Sequence, residues 1–178
     1  MKLKTIKIIS IFGIFILSFL SHFMYKLFPN VLVSIFFPVN ESIWEHMKIL
    51  FTSILLYGII DYILLKRNNI KYNNFAFGLF FSAFIAIPLY LIIYLPIRKL
   101  IGEYLIISII LLFIVYIIIS YINYNIITSN DYGIINKFSV YLIIIVYFIF
   151  FYLTYYPIHN YLFYDTSEKK YGINEYSE

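Results

Sequence analysis

Five long apolar runs constrain this chain more than any other feature: 6–25, 42–65, 75–97, 102–123 and 138–157. Crossing the hydrocarbon of a bilayer takes about 20 apolar residues at about 1.5 Å rise each. Lipid offers no partner to a backbone amide, so a segment inside it must satisfy its own hydrogen bonds. The runs are therefore expected as helices, despite their richness in Ile. Of 178 residues, 63% are hydrophobic and 12% charged, and the mean hydropathy is +0.89. A water-soluble domain of this length could not bury so much apolar surface. The expected fold is an all-α integral membrane protein. It is a bundle of five transmembrane helices forming a single domain over 1–178, with a polar tail at 165–178. The expected location is a multi-pass protein of the cell membrane, with the lipid bilayer as its surroundings.

Segment two is the weakest span, because Lys48 and Asp61 flank a short uncharged centre. It spans if both charges reach toward the headgroups. Pro88 lies inside segment three, where a proline is expected to kink the helix. The start "MKLKTIKIISIFGIFILSFLSHF" is similar to a signal peptide. No small-x-small cleavage site follows, so it reads as a retained first helix. The apolar stretch 27–39 is bracketed by Pro29 and Pro38 and is too short to span. It is expected in the outer interface or as a short re-entrant turn.

Orientation follows from the loop charges. With the N-terminus inside, the inner side carries Lys2, Lys4, Lys7, Lys66, Arg67, Lys71 and Lys137 against Asp61 and Asp131. The outer side carries six basic and seven acidic residues, Glu175 and Glu178 among the latter. The three lysines before helix one favour N-terminus inside and C-terminus outside. Asp61 lies near Lys66 and Arg67 and is expected at the inner interface, with no carboxylate or histidine at its depth to form a proton relay.

The chemistry concentrates at "PVNESIWEH", residues 38–46. Stepping about 100° per residue from Glu41 places Glu45 near 40° and His46 near 140°. Two carboxylates and an imidazole thus share one arc at the start of helix two. Much of the stretch suits a structural job. Ser42-x-x-Glu45 is a capping box, in which the hydroxyl caps the residue-45 amide and the carboxylate returns to the residue-42 amide. Asn40 is an alternative cap. Trp44 suits an interface anchor, and Lys48 pairs with Glu45 or extends to the headgroups. Glu41 and His46 are left without a role.

Three histidines, His22, His46 and His159, all fall at the outer face under this topology, as does Asp165. Imidazoles and carboxylates from separate helices are a normal ligand set for zinc or a related divalent cation. The metal-ligand candidates are His22, Glu41, Glu45, His46 and His159. The wider polar cluster adds Asn40, Ser42, Trp44 and Asp165, as substrate-binding or structural groups. No H-E-x-x-H or H-x-x-x-H pair is present. With no cysteine there are no disulfides, thiolate nucleophiles or Cys-ligated metals. Basic residues are too few and too scattered for nucleic acid. Glu103 with Arg98 and Lys99 reads as a solvated outer turn.

The P-V-N-E-S-x-W-E-H stretch resembles the signature of a family of small bacterial polytopic membrane proteins with no assigned activity. His22 and Phe23 match a His-Phe near the end of that family's first helix. Its late His, Asp and Tyr-Gly fall on His159, Asp165, Tyr171 and Gly172. The tail differs in lacking Pro and Gly between the Asp and the Tyr-Gly. The resemblance implies that these same groups matter, and names no reaction. Ser42-x-x-x-His46 is also similar to one element of the membrane metal-hydrolases that include alkaline ceramidases and adiponectin receptors. Their paired late histidines are missing, since Phe163 stands four residues after His159. Four readings stay open. The cluster is a divalent-metal or headgroup site, a metal-dependent hydrolase centre, a scaffold that only caps helix two or holds a partner subunit, or part of a small transporter.

Overall fold

The structure is a computed structural model that describes residues 1–173 and the backbone of Glu175 and Tyr176. Residues 174, 177 and 178 of the expected polar tail, and with them the Glu178 charge, lie outside the described residues. Among the described residues there are six helices: α1 (Leu3–Leu27), α2 (Val31–Phe36), α3 (Ile43–Arg67), α4 (Phe75–Ile101), α5 (Leu105–Thr128) and α6 (Ile134–Tyr155). All but α2 are long and apolar enough to cross a membrane. They coincide with the five expected runs and extend several of them by two to five residues.

The helix α3 is the centre of the bundle. Within its most apolar 18-residue stretch 61% of residues are buried, against 17–28% in the corresponding stretches of the other four. It packs on α1 and α4, while α4 also packs on α5 and α6 and α1 packs on α5. The helix α1 shows why a greasy segment still has a defined inner face. Its buried residues are Ile6, Lys7, Ser10, Ile14, Ser18 and Ser21, at helical three- and four-residue spacing. Phe12, Ile16 and Leu20 point outward. Between helices in lipid, small residues allow close approach and hydroxyls supply cross-links. Ser18 Oγ lies 2.5 Å from Tyr116 Oη, and Ser21 Oγ 3.1 Å from Ser53 Oγ. Gly13 sits so close to Tyr57 that an added Cβ would lie 1.9 Å from its ring. The helix α4 runs unbroken through Pro88 and Pro96.

Asp61 differs from its sequence expectation. It is buried, 2.6 Å from Lys7 Nζ and 2.6 Å from the Ser10 hydroxyl. Its partners come from α1, which crosses beside it. Lys7 is likewise a buried cation and not a loop charge.

The segment after α1 folds into α2, started by Asn30, whose Oδ1 accepts from the Val33 amide at 3.0 Å. It packs on α6, with Ser34 Oγ 3.2 Å from Tyr155 Oη. The tail is a small antiparallel meander of β1 (Tyr164–Asp165), β2 (Lys170–Tyr171) and β3 (Glu175–Tyr176), in that order. It folds back on the bundle. Gly172 adopts φ +53°, and a Cβ there would fall 2.4 Å from the Thr154 carbonyl. A side chain is excluded both by the left-handed backbone and by α6.

Candidate functional site

The start of α3 divides the polar stretch into two sets of groups. One set holds the fold together. Ser42 is the N-cap, its Oγ accepting from the Glu45 amide at 3.3 Å. The return half of the capping box does not form. The Glu45 carboxylate is instead buried against Lys48 Nζ (2.7 Å), the Val39 amide (3.0 Å) and the Thr154 hydroxyl (2.9 Å). The Ser42 amide donates to Asn40 Oδ1 at 2.9 Å. Lys48 is fully buried and also donates to the Ser34 carbonyl (2.8 Å) and Thr154 Oγ1 (2.5 Å). Three groups, the Val39 amide, the Ser34 carbonyl and the Thr154 hydroxyl, thus enclose one ion pair where α2, α3 and α6 meet.

The same set docks the tail. Asn40 Nδ2 donates to the Gly172 carbonyl at 2.7 Å. Asp165 is buried; its Oδ2 accepts from the Glu41 amide at 2.8 Å. Its Oδ1 accepts from the Ser167 hydroxyl (2.6 Å) and from the amides of Ser167 (2.7 Å) and Glu168 (3.1 Å). Burial alone would raise the Asp165 pKa, but these hydrogen bonds outweigh it and hold the carboxyl below its ordinary value. Trp44 stacks on Phe163 with ring centroids 4.8 Å apart, and its amide donates to the Leu162 carbonyl. It therefore packs the tail against α3.

The second set faces the other way. The Glu41 carboxylate lies 3.4 Å from His46 Nε2 and 3.6 Å from His22 Nε2. The two imidazole rings are 5.2 Å apart, and one ligand atom from each of the three residues lies within 4.8 Å of the others. His46 Nδ1 is 2.8 Å from the Ser42 carbonyl. A carbonyl only accepts, so Nδ1 carries a proton; without a cation Nε2 carries the other and donates to the Glu41 carboxylate, and a cation would take that proton's place and leave the Nδ1–Ser42 contact intact. This second contact is the usual way a metal-binding histidine is oriented. The hydrogen bond with His46 is the main cause that lowers the Glu41 pKa, against the opposing effect of burial. Ligands about 2.0–2.1 Å from a tetrahedral ion are about 3.3–3.4 Å apart. Glu41 meets His46 through Oε2 at 3.4 Å and His22 through Oε1 at 3.6 Å, and one ligand atom per residue lies within 4.8 Å of the others, so the three groups would draw slightly closer around an ion. Two imidazoles and a carboxylate could hold a divalent cation and leave a fourth position open.

The remaining candidates lie elsewhere. Glu45 points to Lys48, away from the histidines. The His159 ring stacks on Tyr171 at 4.5 Å. Among the described residues, the group able to hold a metal consists of His22, Glu41 and His46. The Ser42 hydroxyl caps the helix, and its carbonyl faces His46, so the Ser-x-x-x-His spacing builds no serine–imidazole pair.

The group lines a cavity of about 580 Å³ between α1, α3, α4 and α5. Phe19, Met47, Leu50, Ile109 and Leu112 give it apolar walls; Tyr90, Tyr94 and Ser108 line it from α4 and α5. The sequence reading missed these three. The four-residue spacing of Tyr90 and Tyr94, which puts both rings on one helix face, was the available signal. Glu103 pairs with Arg98 at 2.7 Å, as expected of a solvated turn, and also lines the cavity.

The described residues form an all-α bundle with five helices long and apolar enough to cross a membrane, and a candidate ion site that lines a cavity between them. The chain belongs to the Family of unknown function (DUF6512), which it matches over residues 1–173. No curated protein and no solved structure matches it.

Proposed function

We propose that this protein binds one divalent cation, such as zinc, through His22, Glu41 and His46, at the outer face of the membrane. The observation that carries this is the hydrogen bond between His46 Nδ1 and the Ser42 carbonyl, which leaves Nε2 facing Glu41 and His22. The open fourth position faces the cavity, so the ion acts on a molecule held there. A cation in that setting polarises a carbonyl or phosphoryl oxygen, or lowers the pKa of a bound water to about 7. Metal-assisted hydrolysis is the reaction class this supports.

The reading in which the cluster only caps α3 and docks the tail accounts for Asn40, Ser42, Glu45 and Asp165. It gives no task to His22 or to the Glu41 and His46 side chains. Protein purified without chelators is expected to carry one ion per chain by elemental analysis. Glu41→Gln and His46→Ala are expected to lose it, while Glu45→Gln keeps it. A well-folded wild-type protein with no ion, and no gain in thermal stability on adding zinc, removes the proposal.

A further inference from the structure

The cavity extends well beyond the three candidate ligands. Ser18 and Leu50, each one turn deeper than His22 and His46, line it, and so does Leu112 on α5. From Leu105 to Leu112 the lining covers about 10 Å along α5. A volume of about 580 Å³ is in the range of ligand sites, about 300–1,000 Å³. At a water molecule's share of liquid volume, about 30 Å³, it holds about twenty small groups. That is one long chain with a compact headgroup, and not two chains.

The walls select among ligands of that size. Polar groups placed against Phe19, Met47, Leu50, Ile109 and Leu112 would lose their hydrogen bonds to water without replacement. Hydroxyls from Tyr90, Tyr94 and Ser108 collect on the α4–α5 side. The cavity also opens sideways. Phe19, Phe23 and Leu105 line it and are themselves 41%, 50% and 74% exposed, on apolar outer surfaces of α1 and α5. A molecule already dissolved in the membrane reaches the three candidate ligands through that side without crossing water.

We infer that the cavity takes a single-chain amphiphile, with its hydrocarbon chain between α1, α3, α4 and α5 and an oxygen-bearing headgroup at His22, Glu41 and His46. This deepens the proposed function and rests on it for the headgroup; the chain's place rests on the cavity alone.

Two probes test the two parts separately in phospholipid nanodiscs. The first is hexadecanoyl hydroxamate against acetohydroxamate, both zinc chelators, on zinc-loaded protein. The long probe is expected to bind at least tenfold tighter. Leu112→Trp, or Ile109→Trp if the first variant folds poorly, is expected to cut that advantage below threefold. Zinc content and acetohydroxamate affinity stay unchanged. An advantage that survives both tryptophans overturns the inference, because the chain then lies outside the cavity. The second probe is hexadecanol carrying a diazirine near the chain end, which needs no metal. Labelling of Leu50, Ile109 and Leu112 supports the chain's place, even if the protein holds no ion. Labelling confined to the outward-facing Ile106, Ile110 and Ile114 overturns it.

Discussion

Replacing Lys48 by Met isolates the structural half of the polar stretch. Lys48 is fully buried and its partner Glu45 nearly so, in a contact of 2.7 Å. Lys48→Met leaves the Glu45 carboxylate buried with only the Val39 amide and Thr154 hydroxyl as donors. Breaking a buried pair by removing one partner costs about 3–5 kcal/mol. For a chain of this size each kcal/mol moves the midpoint by about 2–4 °C, so thermal unfolding is expected to fall by roughly 6–20 °C. The double variant Glu45→Gln/Lys48→Met removes both charges and keeps an acceptor for Val39. It is expected to recover at least half of that loss, because the charge left behind causes most of it. The assay is thermal unfolding in detergent, with Trp44 as the tail reporter, since it stacks on Phe163. The reasoning is refuted if Lys48→Met unfolds within about 1 °C of wild type, or if the double variant loses the sum of the single losses.

Two further perturbations probe other parts of the account. Asp61→Asn leaves Lys7 buried without its counter-charge and is expected to cost about 3–5 kcal/mol, with Asp61→Asn/Lys7→Met regaining most of it in the same assay. Asp165 has a folded pKa below its ordinary value, so its contribution is complete above the unfolded carboxylate range and is lost as pH falls through the lower folded value. Stability is therefore expected to drop below about pH 4, and Asp165→Asn flattens that part of a thermal-unfolding series from pH 3 to pH 6.

Much of the fold was legible because lipid imposes a simple rule. The five runs reach the length a bilayer demands, and each became a helix. Their ends were less legible. The helix α6 begins at Ile134, ahead of the polar Asn136 and Lys137 that hydropathy treats as loop. The Lys7–Asp61 pair was hidden because it depends on how α1 rotates against α3, and hydropathy carries no rotation. The tail was read as a polar segment leaving the membrane. Its strands are two residues long and show no periodicity, and what orders them is Asn40, Asp165 and Gly172 reaching across the chain. At the site, the expected arc of Glu41, Glu45 and His46 assumed that Glu41 is helical, whereas α3 begins at Ile43 and Glu41 lies before its N-cap, so helical phase does not place it. The Lys48 and Thr154 contacts then turned Glu45 away, and the Ser42 carbonyl oriented His46. Tertiary partners made those choices, and helical phase alone could not.

Zinc-edge X-ray absorption on protein purified without chelators and dialysed against metal-free buffer tests the central claim most directly. The account predicts one retained ion per chain, with two imidazole nitrogens and oxygen at about 2.0–2.2 Å. One imidazole disappears in His22→Ala. A protein that retains no zinc, or holds it in a shell without imidazole, contradicts the assignment.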